Sequence, residues 1–127
     1  MDKKHVASLI SWAGVFLWMA VIFIMSSLPG EDIPDFNIPN LDKAVHFFEF
    51  FILAILLLRA FLKSYYGVSP VKMVVLAAAI AFIYALSDEF HQYFVPGRNA
   101  DILDFIVDIL GSSIGIALYG KAAKWQR

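Results

Sequence analysis

The sequence predicts an all-α fold: a polytopic membrane bundle of four transmembrane helices with both termini in the cytoplasm. Three observations predict it. The chain has 127 residues, 61% hydrophobic and 17% charged, with a mean hydropathy of +0.73, well above an ordinary soluble domain. Its apolar residues fall into four long runs, and at roughly 20 residues per span this length holds four spans with short connections and no soluble domain beside them. Finally, Lys and Arg gather at one set of run ends.

The first run, Val6 to Leu28, carries no charge and is long enough to cross a bilayer. A cleaved signal peptide is the competing reading, since Lys3, Lys4 and His5 precede the run. The run is too long for that and ends in Ser26-Ser27-Leu28-Pro29 without a small-residue cleavage pattern, so the span is expected to remain attached. Residues 29–42 hold Pro29, Gly30, Pro34, Pro39, Asn37 and Asn40 among several acids, the composition of a loop. A second span is expected over about 43–62, with Asp42 placed to cap it. After the break at Gly67-Val68-Ser69-Pro70, a third covers about 71–94 and is stopped by Pro96 and Gly97. A fourth covers about 102–120. Residues 1–127 are read as one domain, with no internal repeat.

Orientation follows from the cations. With the N-terminus inside, Lys3, Lys4, Arg59, Lys63, Lys72, Lys121, Lys124 and Arg127 lie on the cytoplasmic side, and only Lys43 and Arg98 lie outside. The acids show the opposite bias: all except Asp2 fall in the outer loops or outer span ends. The net charge of −1 argues against nucleic acid as a partner. The absence of cysteine excludes a disulfide framework, a thiol nucleophile, an iron–sulfur cluster and a thiolate zinc site.

The outer polar residues converge. Glu49, Asp88 and Asp108 each sit about six residues inside a helix end, a common depth of roughly 9 Å. Spacings of three and four place Asp42, His46 and Glu49 on one helix face, Asp88, His91 and Gln92 on a second, and Asp101, Asp104 and Asp108 on a third. A carboxylate facing lipid at mid-membrane costs about 2.5 to 3.5 kcal/mol, so the three faces should turn inward and form a pocket open to the outer surface.

Three chemistries fit that pocket unequally. A carboxylate or His46 serves as general acid or base while Arg98 or Lys43 holds an anion such as a lipid phosphate, which suits the interfacial depth. Alternatively, His46, Glu49, Asp88, His91, Asp104 and Asp108 offer nitrogen and oxygen ligands to a divalent metal, but spacing alone fixes no ligand geometry, and no metal or other cofactor is expected. A proton or solute pathway is the third, weakened by the lack of matching ionisable residues in the cytoplasmic halves of the spans. Against all three stands a purely structural reading, in which these side chains are interhelical hydrogen bonds worth about 0.6 kcal/mol each. Glu31, Asp32 and Asp35 read most simply as solvated loop charges. No G-x-S-x-G, H-E-x-x-H or P-loop motif is present. Gly111, Ser112 and Gly115 read as a small-residue packing seam within the bundle. Trp12 and Trp18 and the Phe-rich second span read as packing and lipid contact.

Ser26-Ser27-x-Pro29, Asp42-Lys43-x-x-His46-Phe47-x-x-Phe50 and Ser87-Asp88-Glu89-x-x-Gln92-x-Phe94-x-Pro96-x-Arg98, followed by Asp104, Asp108 and Gly111, resemble the VanZ-like family of small bacterial membrane proteins. The family is named for a factor associated with teicoplanin resistance. The motifs cover most of residues 26–115, with Asp108 within the family pattern and Ala54 in place of a frequent Gly. The resemblance implies that Asp42, Lys43, His46, Asp88, Glu89, Gln92, Arg98, Asp104 and Asp108 form the characteristic polar set. From the residues and the resemblance together, His46, Asp88, Glu89 and Asp104 are expected to be catalytic, and Asp42, Lys43, Gln92, Arg98 and Asp108 to bind substrate. The expected partner is a membrane lipid or lipid-linked envelope intermediate in the bacterial cytoplasmic membrane. A non-catalytic assembly role and a transporter are the alternatives.

Overall fold

The computed structural model describes residues 2–124 and contains four long helices, α1 (Lys3–Ser26), α2 (Leu41–Ser64), α3 (Pro70–Gln92) and α4 (Ile102–Lys124), with a short 3-10 turn at Gly30–Asp32. All four helices are long and apolar enough to cross a membrane. Arg127, which contributes to the sequence charge bias, lies outside the described residues.

The helix ends differ from the hydrophobic runs for local reasons. Asp2 accepts from the Lys4 amide, so α1 starts at Lys3, ahead of the apolar run. It stops at Ser26 because Leu28 precedes Pro29, whose ring disfavours helical geometry at the residue before it. Asp42 does not cap α2. Asn40, in the left-handed region with φ 57°, occupies that position without a side-chain cap, and Asp42 falls inside the first turn. Pro70 opens α3, where its missing N–H is no loss. That helix ends at Gln92, before the Pro96-Gly97 turn. Beyond Gly120 the residues Lys121, Ala122 and Ala123 contain no breaker, so α4 runs on to Lys124.

The core is built around α2. Phe50, Leu53, Ala54, Leu57, Leu58 and Phe61 are buried on its several faces, and it packs most extensively against α4, then α1 and α3. Helix α3 approaches through alanines at every fourth position, Ala77, Ala81 and Ala85, with Met73 below them. Its buried stripe turns polar one turn later, at Asp88, Glu89 and Gln92. Polar side chains fasten α1: Trp12 Nε1 donates to Ser64 Oγ at 2.9 Å, Trp18 Nε1 to the Glu49 carbonyl at 2.8 Å, and the Tyr84 hydroxyl to the Met19 carbonyl at 2.6 Å. Large apolar side chains such as Ile10, Phe16, Leu17, Ile83, Leu110 and Leu118 point outward, forming a surface suited to lipid rather than water.

The α2–α4 seam is the closest helix-to-helix approach at any glycine. A Cβ added at Gly111 would lie 2.3 Å from the Phe47 carbonyl oxygen, and one at Gly115 would lie 2.6 Å from that of Phe51, one turn further along both helices. Only hydrogen at these positions allows the backbones to touch. This seam sets the register between the polar residues of α2 and those of α4.

Candidate functional site

The polar residues collect at the end of the bundle that carries the 29–40 loop and the 93–101 turn. On α2, Lys43 and His46 face α4. Lys43 Nζ lies 2.7 Å from Asp104 Oδ1, 3.0 Å from Asp101 Oδ2 and 3.3 Å from Asp42 Oδ2, so three carboxylates surround one ammonium. One turn deeper, His46 Nδ1 lies 3.1 Å from Asp108 Oδ1, and Nε2 lies 4.0 Å from Asp104 Oδ2. Both partners are buried, and Asp108 is fully so. With its hydrogen on Nδ1, His46 donates to Asp108, which fixes the ring and leaves Nε2 on the Asp104 side.

Helix α3 supplies the third wall. Asp88 Oδ2 accepts from Gln92 Nε2 at 3.1 Å, one turn apart on a buried face. Glu89 Oε2 accepts from the Asp101 amide at 2.9 Å and so clamps the start of α4 to α3. His46, Asp88, Glu89 and Asp108 each place one nitrogen or carboxylate oxygen within 4.8 Å of the others. His91 is not among them. Its ring stacks on Phe23 with centroids 4.7 Å apart, and Nε2 lies 2.9 Å from Ser27 Oγ, so it joins α3 to α1.

A carboxylate cap of the kind expected of Asp42 on α2 is found instead on α4, at Asp101. Its Oδ1 accepts from the Leu103 amide at 2.8 Å, two residues on at the start of α4. That backbone N–H, together with the nearby Lys43 ammonium, holds the Asp101 carboxyl below the usual carboxylate range.

Above the cluster lies a half-open cavity of about 660 Å³. His46, Glu49, Gln92 and Asp104 line its polar side, and Asp42, Arg98 and Asp101 also border it. Its apolar side comes from Met25 and Leu28 at the end of α1, Leu41 and Val45 of α2, and Ile33, Pro34, Phe36 and Ile38 of the loop. Among the described residues Arg98 has no carboxylate within ion-pair distance, in contrast with Lys43.

Sequence spacing found the buried polar set but missed the wall. The loop is held in place by a backbone contact: the Gly30 amide donates to the Pro96 carbonyl at 3.0 Å, and a Cβ on Gly30 would lie 2.0 Å from the Gly97 carbonyl oxygen. Gly97 sits at φ 72°, where a side chain is strained. Gly30→Ala is therefore expected to destabilise by about 1–3 kcal/mol through overpacking and to make residues 30–40 more sensitive to protease. Thermal unfolding and limited proteolysis check this, and wild-type behaviour in both would contradict the contact.

Compared with known families, residues 11–123 match the family described as VanZ/LLP1. The chain belongs to the VanZ/LLP1 family. All nine polar residues that the sequence singled out lie within the matched span. No curated protein and no solved structure matches the chain. Membership in VanZ/LLP1 and the four apolar helices together make it a multi-pass membrane protein.

Proposed function

We propose that this VanZ/LLP1 protein binds, and acts on, the anionic head group of a cell-envelope lipid or lipid-linked intermediate. It would sit in the bacterial cytoplasmic membrane with both termini inside and the cavity facing outward, the orientation favoured by the Lys and Arg distribution. The observation that carries the reading is the composition of the cavity wall: apolar loop and helix-end side chains on one side, and a buried His–carboxylate floor on the other, with Arg98 on the rim. An amphiphile fits such a wall, with its head over the floor and its apolar part against Ile33, Phe36 and Ile38.

The residues divide by their surroundings. Lys43 is neutralised by Asp42, Asp101 and Asp104, so its part in binding is to hold the mouth of the site together. Among the described residues Arg98 makes no ion pair, Glu49 being an acid on the same cavity, and it can give a bidentate bond to a phosphate. Of the four residues expected to be catalytic, His46 and Asp104 line the cavity, while Asp88 and Glu89 are buried behind them and would act through His46 and Gln92, with Asp108 orienting His46 and Gln92 bonded to Asp88. A change in teicoplanin sensitivity would then be an indirect result of altered envelope lipid.

Arg98→Ala is expected to weaken retention of anionic lipid about 10- to 100-fold, the worth of one or two charge-assisted hydrogen bonds, without lowering the melting temperature. Native mass spectrometry of co-purified lipid measures the first, and thermal unfolding the second. Unchanged lipid retention would remove Arg98 from the site. In a sensitive Gram-positive host, wild type should protect against teicoplanin and His46→Ala, Arg98→Ala and Asp104→Asn at equal membrane abundance should not. Equal growth of all strains would separate this member from resistance.

A further inference from the structure

We infer that His46, Asp88, Glu89 and Asp108 form a binding site for one divalent first-row transition-metal ion, buried beneath the cavity and reached from it through His46. Three observations meet there. The four residues come from three helices, all are buried, and one ligand atom of each lies within 4.8 Å of the rest. Two of them carry an oxygen that is buried and has no hydrogen-bond partner among the described residues: Glu89 Oε1 and Asp108 Oδ2. Both side chains are more than nine-tenths buried, with exposures of 7% and 0%. Buried carboxylate oxygens without partners cost several kcal/mol of lost hydration each, unless a cation or a proton takes the place of water.

The charges point to a cation. Asp88, Glu89 and Asp108 are clustered with one imidazole, and no Lys or Arg belongs to the group, since Lys43 is already surrounded by Asp42, Asp101 and Asp104. One nitrogen and three carboxylates suit Zn²⁺ or Mn²⁺, whereas softer ions would call for sulfur. Ligation would draw in ligand atoms that now lie within 4.8 Å of one another. Donors about 2.0–2.2 Å from a tetrahedral ion are roughly 3.3–3.6 Å from one another. His46 Nδ1 and Asp108 Oδ1 stand 3.1 Å apart as a hydrogen-bonded pair, so an ion would take the place of the shared proton and open this edge slightly.

The surroundings complete the arrangement. If Nδ1 ligates, the opposite ring nitrogen faces Asp104 Oδ2 at 4.0 Å, the carboxylate–histidine–metal order that holds imidazole ligands. Gln92 holds the Asp88 carboxylate, and the Asp101 amide holds Glu89 Oε2, leaving Oε1 to the ion. An ion here lies next to cavity-lining His46 and Gln92, where it would meet the phosphate oxygens of an incoming head group. That last step rests on the lipid reading; the ion site does not.

The test uses the full chain purified in detergent, stripped with chelator and titrated with ZnCl₂ or MnCl₂, with calorimetry and metal analysis giving stoichiometry. Wild type is expected to take up one ion and to melt at a higher temperature with it. Asp104→Asn should weaken binding about 10- to 100-fold as an outer partner; Asp108→Asn and Glu89→Gln should weaken it more. His91→Ala and Glu31→Gln, outside the cluster, should bind as wild type does. Absence of stoichiometric uptake by helical wild-type protein overturns the site. So does binding that survives Asp108→Asn and Glu89→Gln, or that is lost with His91→Ala. Arg98→Ala should keep the ion, so metal binding without lipid retention in wild type would reject the lipid reading and leave the ion site standing.

Discussion

On the proposed lipid reading, Asp88→Asn is expected to reduce head-group turnover about 100- to 10,000-fold while leaving the metal-free bundle at least as stable as metal-free wild type. Asp88 is buried beside Glu89 and Asp108, and no Lys or Arg belongs to that group. Asparagine has nearly the same shape and can still bond to Gln92, yet it removes one charge from a crowded acidic floor. The substitution therefore relieves crowding of acids in the free protein and, on the proposed lipid reading, removes the carboxylate that would act on a head group. Such a trade, in which a site is less stable than it could be, is common where function requires it. Conversion of extracted envelope lipid in proteoliposomes, followed by mass spectrometry, gives the first quantity, and thermal unfolding gives the second. Full turnover would remove Asp88 from the reactive floor. Lost stability with lost turnover would instead favour a structural role for the carboxylates.

Gly111→Val should cost about 3 kcal/mol or more, at the upper end of overpacking penalties, and should abolish function along with the fold of the site. The new side chain would begin 2.3 Å from the Phe47 carbonyl oxygen, a backbone atom that moves only if α2 moves. Separating α2 from α4 stretches Lys43–Asp104 and His46–Asp108 together, because both pairs straddle that seam. Gly14→Ala is the internal comparison. Its Cβ would meet only the Leu56 side chain at 3.9 Å, so stability should be unchanged or slightly raised. Reversible unfolding in mixed micelles measures both, and a wild-type midpoint for Gly111→Val would refute the close approach.

Much of this architecture is written in local sequence. Four apolar runs bounded by Pro, Gly and Asn give four helices, because backbone groups in lipid must be satisfied within each segment. Helical spacing alone brings Asp42, His46 and Glu49 to one side of α2, and Asp104 and Asp108 to one side of α4. Spacing stops short where two neighbours compete for one side chain. His91 lies only one residue from Gln92, yet Phe23 and Ser27 draw it to α1, while Asp88 and Gln92 stay on the buried face. Asp42 looks like a cap from its position, but the left-handed Asn40 starts the helix first. The loop wall was illegible for a different reason. Punctuation by Pro and Gly says that residues 29–40 turn, whereas the Gly30 contact to Pro96 and Gly97, which decides where the loop rests, joins segments far apart in sequence.

The ion pairs between α2 and α4 also constrain how the chain is made. Lys43 and Asp104 are separated by 61 residues, and His46 and Asp108 by 62. While the ribosome has delivered only the first three helices, α2 sits in the bilayer with an ammonium and an imidazole whose carboxylate partners on α4 have not yet been synthesised. Its polar end must rest near the head groups until α4 arrives and zips Gly111 and Gly115 against Phe47 and Phe51. Insertion of the last helix is thus the step that both locks the bundle and creates the site.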